Sequence, residues 1–375
     1  MSSDALPRGT KIAGFVLDVP LGQGGFGITY RARSADGRLE YAVKEYFPAE
    51  YARRASGGVV LPREGAEAGR AFEIGRKAFL EEAFILKDLP RQPGLVRVRG
   101  AFEKHGTAYC LMDFIAGEPL DRVSQRLVSR YGHIPEVHVQ ELVSTLCRAL
   151  GAVHGAGFVH RDIKPSNIMI STTGTPVLID FGAARRLGRG SGLGSMLSRK
   201  YAALEQFPAH PRGLGAQEGP WTDLFALSVV LYELVSQGLP QAADARAAEV
   251  TAGRRDPYVA VRENLRRNRV EARYSDTLLD LIDRGCALQA RERPQSAADF
   301  RRPIEQMMAQ PARPARVDGF AEAGAAEPYI PPQVDRPGDG QKLTNDQRKV
   351  VRMLGLILGL AVAATVYGLF PQGGF

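Results

Sequence analysis

Residues 160–167 read HRDIKPSN, and this octapeptide narrows the fold more than any other stretch of the chain. Asp162 can accept the proton of an attacking hydroxyl, and Lys164 can neutralise a phosphoryl group in transfer. Asn167, five residues after Asp162, can bind a metal ion through its amide oxygen. Thirteen residues after Asn167 comes Asp180, in DFG, behind the strand-like run PVLID. A carboxylate and an amide oxygen, completed by water and phosphate oxygens, suit Mg2+, which takes oxygen ligands and keeps some of its water; Mn2+ accepts the same donors.

Towards the N-terminus, residues 21–30 read LGQGGFGITY, in which Gly22, Gly24 and Gly27 fit G-x-G-x-x-G. The pattern alone serves dinucleotide-binding folds and phosphate-covering hairpins alike. The following run separates them. ITYRARS is β-branched and aromatic and leads to Asp36-Gly37, a hairpin signal, where a dinucleotide fold would open a helix. A glycine-rich hairpin lets backbone N–H groups approach phosphates without side-chain obstruction. Lys44 follows in YAVKEY, seventeen residues after Gly27, as a compact cation for phosphate oxygens that needs an anion to hold it in place. Glu81 and Glu82, in KAFLEEAFIL, offer that anion.

The apolar runs at 15–22, 28–34, 95–103 and 107–114 read as strands, and three- and four-residue apolar steps predict a helix over about 72–89. Between them, residues 45–70 read as an irregular insert. After Gly117 the pattern turns helical, with amphipathic runs at 135–157, 222–237 and 275–290. A β-rich lobe thus precedes an α-rich one, and no internal repeat is visible.

Taken in order, the glycine loop, strand lysine, helix glutamate, HRD and DFG resemble the eukaryotic-type (Hanks-type) serine/threonine protein kinases of the bacterial branch, over about residues 12–305. The resemblance implies an α+β, bilobal protein-kinase fold over 12–308, with a β-rich N-lobe at about 12–115 and a helical C-lobe at about 116–308. It implies transfer of the γ-phosphoryl group of ATP, with Mg2+, to Ser and Thr hydroxyls of protein substrates, with autophosphorylation. Gly22, Gly24 and Gly27 would then cover the ATP phosphates, and Lys44 would hold the α- and β-phosphates. Glu82 would be the ion-pair partner of Lys44, with Glu81 as runner-up. Met112 would be the gatekeeper, followed by Asp113, Phe114 and Ile115 as the adenine hinge, with Ala42 and Met169 on the two ring faces. Asp162 would be the catalytic base, Lys164 the Ser/Thr-type loop lysine, and Asn167 and Asp180 the metal ligands. Glu205 would pair with Arg293. Arg161 and Arg185 would form a basic pocket for a phosphorylated activation-loop residue, with Ser191, Ser195 and Ser198 as candidates. Ser198 also resembles the residue that contacts the catalytic loop and incoming substrate. Three departures stand out: Thr29 replaces the usual Val beneath adenine, Leu204 stands for Pro in the APE-like stretch, and Ser228 replaces a common Gly. None removes a catalytic group. The alternatives are a catalytically silent kinase-like scaffold at the membrane, against which Lys44, Asp162, Asn167 and Asp180 are all retained, and a small-molecule phosphotransferase, against which stand HRDIKPSN and the Glu205/Arg293 pair.

Composition adds the surroundings. Three scattered cysteines read as buried apolar residues of a reducing compartment, and the six histidines show no metal-ligand spacing. The formal net charge is +8, without any nucleic-acid motif, so no nucleic-acid partner is expected. Residues 1–11 read as a leader lacking the apolar core of a secretory signal. Residues 309–349 are rich in Pro, Ala, Gly and charge and read as a flexible linker. Residues 353–370 carry no charge and as a helix would span about 27 Å. A transmembrane helix is therefore expected over 350–370, with 371–375 as a short external tail. Arg348, Lys349 and Arg352 at its N-terminal flank place the kinase domain in the cytoplasm, on a single-pass inner-membrane protein, next to anionic membrane lipids. Gly355 and Gly359 form a G-x-x-x-G that would let two spans pack as a homodimer.

Overall fold

The computed structural model describes residues 4–181, 198–207, 217–270 and 274–309, and residues 185–186 by their backbone. Ser191, Ser195, the side chain of Arg185, the linker and the expected membrane span lie outside the described residues. Among the described residues, no helix is long and apolar enough to cross a membrane.

The N-terminal lobe is built on an antiparallel sheet. Its first strands are β1 (Lys11–Ile12), β2 (Phe15–Gly24), β3 (Gly27–Ser34) and β4 (Glu40–Tyr46). A hairpin of β5 (Ala52–Arg54) and β6 (Val60–Pro62) and the helix α1 (Ala66–Asp88) precede β7 (Val98–Lys104) and β8 (Thr107–Asp113). The sheet order is β1-β2-β3-β4-β8-β7. Along β3, Ile28, Tyr30, Ala32 and Ser34 are buried while Thr29, Arg31 and Arg33 are only half-buried, the two-residue alternation of a sheet with one covered face. Ala71, Phe72, Phe79, Ala83 and Leu86 are the buried residues of α1, and from Phe72 on they follow steps of seven, four and three that keep to one helix face.

The structure corrects the reading of residues 45–70 as irregular. They hold the β5–β6 hairpin, and α1 begins at Ala66, six residues before the sequence pattern shows it. The hairpin closes over a buried polar cluster. Glu45 is fully buried and accepts bonds from the Tyr30 hydroxyl (2.9 Å), the Tyr109 hydroxyl (2.8 Å) and both terminal nitrogens of Arg54 (3.0 and 2.6 Å). A buried carboxylate persists only when paired and hydrogen-bonded in this way. Arg54 also donates to the Asp4 carbonyl, and the Leu6 N–H donates to the Tyr30 hydroxyl at 3.0 Å. Leu6, within the stretch read as a leader, is buried in the core of this lobe. At the end of β4, the Tyr46 ring packs on Phe72 and Phe79 of α1. A Cβ at Gly75 would overlap the Tyr46 hydroxyl, so glycine lets the helix close on the strand. The insert thereby ties the N-terminal segment to the strands beside α1.

The C-terminal lobe begins with β9 (Gly117–Pro119), α2 (Leu120–Tyr131) and α3 (Glu136–Gly155). Next come β10 (Phe158–Val159), β11 (Ile168–Ser171), β12 (Pro176–Leu178) and β13 (Arg185–Arg186). Helices α4 (Pro220–Ser236), α5 (Ala243–Thr251), α6 (Val261–Arg267), α7 (Asp276–Gly285) and α8 (Ala297–Ala309) complete it. α4 is buried on nearly every side, as expected of a helix that is apolar all round. Its Ser228 returns its hydroxyl to the Leu224 carbonyl at 2.7 Å, and a Cβ at Gly285 of α7 would overlap that hydroxyl. Thus the departure at Ser228 is accommodated by a glycine on the facing helix. Cys110, Cys147 and Cys286 are buried and unbridged.

Candidate active site

The HRD turn is suspended from α4. Asp223 is fully buried and accepts the backbone N–H groups of His160 and Arg161, each at 2.8 Å, and contacts His154 Nε2 at 2.8 Å. Burial alone would raise its pKa, but the bond and charge of His154 outweigh this and hold it below the usual carboxylate value. The resulting fixed anion lets the chain reverse sharply, with Arg161 at φ 69°. The Arg161 carbonyl accepts a bond from Gln206 at 2.9 Å. The His160 ring, kept neutral by burial, lies 4.5 Å from the Phe181 ring, joining HRD to DFG.

This turn presents Asp162. Its Oδ2 accepts from Lys164 Nζ at 2.7 Å and from Asn167 Nδ2 at 2.9 Å, while its Oδ1 accepts from the Ser198 hydroxyl at 2.6 Å. Lys164 also donates to Ser198 at 2.9 Å. The Asn167 amide nitrogen further bonds the Asp162 carbonyl at 2.8 Å, so the amide oxygen is committed to neither contact. Of the two expectations for Ser198, the structure favours the contact with the catalytic loop. Phosphorylating it in this geometry would press a dianion against Asp162. Ser198→Ala is expected to lower kcat/KM by about 10-fold or more, as for a lost hydrogen bond to a charged group, whereas Ser198→Thr keeps the hydroxyl and most of the rate. Steady-state kinetics on the two variants checks this; equal loss in both would point to lost fit.

Lys44 lies on β4 opposite Thr29 and Cys110. Its ammonium is paired with Asp180, whose backbone sits at φ 61°. This corrects the expected Lys44–Glu82 ion pair. Glu82 is half-buried beside Lys44, whereas Glu81 is exposed on the outer side of α1. Two carboxylates compete for one ammonium, and Asp180 makes the direct contact. Burial raises the Glu82 pKa well above its usual value; Lys44 opposes the shift and Asp180 adds to it. Lys44 itself stays protonated: burial disfavours its charge, but Asp180 outweighs that and raises its pKa.

The sign of the Glu82 shift gives a pH prediction. A raised folded-state pKa means the folded chain holds a proton that the unfolded chain has released. The resulting penalty is absent below the ordinary glutamate value and complete above the raised one. Glu82→Gln removes it. The melting temperature of the variant relative to wild type is therefore expected to improve from pH 5 to pH 8. A difference that stays flat or moves the other way would contradict this.

The hinge residues Met112, Asp113, Phe114 and Ile115 follow from β8, with Met112 buried opposite Ala42. Met169, on β11, is half-buried, as is Ala42. Asp113 is held by Arg99, which bonds both carboxylate oxygens. The glycines divide. A Cβ at Gly27 would overlap the Glu45 carbonyl, so glycine there serves strand packing. At Gly22 and Gly24 a Cβ would meet nothing within 4 Å, so neither is required by packing within the chain. Glu205 and Arg293, both buried, form the expected pair at 2.8 and 3.2 Å, and Thr222 donates to Glu205 at 2.8 Å.

Sequence reading missed Glu218, which lies against Arg161 (Nε to Oε2, 2.6 Å). It also missed Gln206 and the Glu45–Arg54 cluster. None carries a local pattern, since each is defined by a partner distant in sequence. Among the described residues, no group of three or more His, Cys, Asp or Glu gathers as a metal cage.

A two-lobed fold in which a strand lysine, a DFG aspartate and an HRD aspartate converge defines the protein kinases. The chain belongs to the protein kinase domain family, which matches residues 15–311. It is similar to the serine/threonine-protein kinase PknA of Mycobacterium tuberculosis (strain H37Rv), with 36% identity over 161 residues, covering 40% of this chain and 35% of that protein. It is similar to PknD of the same organism, with 28% identity over 299 residues, covering 80% of this chain and 40% of that protein. The chain thus spans well under half the length of these relatives. Among solved structures, the apo form of PpkA-294 superposes with a TM-score of 0.65 at 30% identity, covering 80% of this chain and 100% of that one. A double mutant of the M. tuberculosis PknI kinase domain, at 20% identity and TM-score 0.57, shares the fold and covers 81% of this chain and 100% of that chain.

Proposed function

We propose that the chain is a serine/threonine protein kinase that moves the γ-phosphoryl group of ATP to a protein hydroxyl. The observation that carries this is the closed set Asp162–Ser198–Lys164, in which a serine hydroxyl donates to the aspartate and accepts from the lysine. An acceptor hydroxyl that reaches Asp162 finds a base for its proton, with an ammonium beside it to offset phosphoryl charge. The family supports ATP and a divalent ion, generally Mg2+, as co-reactants.

The residues present fit both. Gly22 and Gly24, with open space where a Cβ would lie, leave the β2–β3 turn free to bring backbone N–H groups close to phosphates. Lys44 is a buried, protonated cation suited to phosphate oxygens. Asp180 and the Asn167 amide oxygen would hold Mg2+, which supplies charge neutralisation of the polyphosphate. Met112, Ala42 and Met169 offer apolar surface to an adenine ring, and Asp113 to Ile115 its backbone edge. Asp162 takes the acceptor proton, Lys164 stabilises charge during transfer, and the work of the site is positioning and electrostatics. The silent-scaffold alternative draws no support, since every group needed for transfer is present.

We read residues 350–370 as a membrane anchor with the kinase domain on the cytoplasmic side, resting on the uncharged run and its basic flank. Phosphoamino-acid analysis after incubation with labelled ATP and Mg2+ tests the activity: phosphoserine and phosphothreonine are expected, and phosphotyrosine alone would contradict it. Partition of the full chain, but not of a chain ending at residue 309, into lipid vesicles tests the anchor.

A further inference from the structure

Arg161 is the residue to which sequence reading assigned an activation-loop phosphate. In the structure its side chain is only 4% exposed, and a carboxylate from elsewhere in the chain already lies against it. Glu218 approaches with both oxygens: Oε2 lies 2.6 Å from Arg161 Nε, and Oε1 accepts from a terminal nitrogen at 3.0 Å. The terminal nitrogen makes a charge-assisted hydrogen bond, while the Nε contact is close but not aligned as one, so the two side chains form an ion pair held by one such bond.

Glu218 is held in position by its surroundings. Trp221 Nε1 donates to the Gln217 carbonyl at 3.2 Å, and the Trp221 ring lies so close to Gly219 that a Cβ there would overlap it. The Gly219 N–H donates to Thr222 Oγ1 at 3.1 Å, and Thr222 in turn donates to Glu205, the partner of Arg293. The segment 217–219 is thus clamped on both sides by the first turn of α4. That is the same helix whose Asp223 carries the backbone of Arg161. The backbone of Arg161 is therefore held by α4, and its side chain by the segment that leads into α4, one residue before the catalytic aspartate.

We propose that Glu218 is a built-in anion for Arg161, so that the catalytic loop is set for transfer without a phosphate on the activation loop. Glu218 is a positioning residue, acting on Asp162 through Arg161. The inference rests on the kinase reading above.

The test uses the full chain, stripped of phosphate by a protein phosphatase that is then removed, with loss of phosphate confirmed by intact mass. Initial rates on a serine-containing acceptor protein are compared before and after stripping. Wild type is expected to keep its rate within about threefold and to show no lag. Glu218→Gln is expected to lose about tenfold or more in kcat after stripping, as for a lost charge-assisted bond, with KM for ATP little changed. It should recover when its loop is phosphorylated, a dependence that a merely structural role would not create. Wild type that loses its rate on stripping, or starts with a lag, overturns the proposal while the kinase reading stands. A folded Glu218→Gln that matches wild type after stripping also overturns it. If Glu218→Gln does not fold, the wild-type comparison alone decides. Wild type inactive both before and after stripping overturns the kinase reading and the proposal together.

Discussion

Asp162→Asn is expected to lower kcat for phosphoryl transfer by about 10²–10⁴-fold, the usual contribution of a general base. The replacement keeps the size of the side chain and one oxygen to accept from Lys164 or Asn167. It removes the charge and the capacity to take the acceptor proton. The turn around Asp162 is held through its backbone by Asp223, which the replacement leaves in place, so the chain should still fold with only a modest change in melting temperature. Initial rates and thermal unfolding of the same preparation separate the two effects. A folded Asp162→Asn enzyme within about threefold of wild type would remove Asp162 from the mechanism.

The second large effect concerns stability. Arg293 has a fully buried side chain, paired with Glu205 and stacked 4.6 Å from the centre of the Phe225 ring. Its Nε donates to the Ala287 carbonyl at 2.8 Å, and one of the terminal nitrogens paired with Glu205 also donates to the Leu288 carbonyl at 2.9 Å. Glu205→Ala leaves this guanidinium inside the protein without its counter-charge, and breaking a buried pair from one side costs about 3–5 kcal/mol. Glu205→Ala with Arg293→Met should cost less than Glu205→Ala alone, because the stranded charge is gone. Urea unfolding of the single and double variants checks both statements. A single variant within about 1 kcal/mol of wild type would show that the pair is solvated in solution.

How much of this is legible in the sequence depends on how local each signal is. HRDIKPSN, DFG and the strand lysine are short and contiguous, so their chemistry can be read from the chain, and the structure brings them together. The lobes follow from a change of period, from the alternation along Ile28–Ser34 to the helical spacing after Gly117. The hairpin over 45–70 was not legible, because its organiser is Glu45, whose partners Tyr30, Arg54 and Tyr109 lie up to 64 residues away. The early start of α1 was hidden because residues 66–71 carry little apolar periodicity. The partner of Lys44 was misjudged for an electrostatic reason. Sequence names the candidate anions, but the competition between Glu82 and Asp180 is decided by burial and backbone angle. Glu218 lies in a stretch without any motif, and only the fold brings it to Arg161.

The most direct test of the central claim follows the transferred atoms. The chain is incubated with Mg2+ and a serine-containing acceptor protein, using ATP labelled at the γ-phosphate in one reaction and at the α-phosphate in another. Label is expected to enter the acceptor as phosphoserine or phosphothreonine from γ-labelled ATP only, and to depend on Mg2+. A wild-type chain that binds ATP but transfers no γ-label to protein hydroxyls would contradict it.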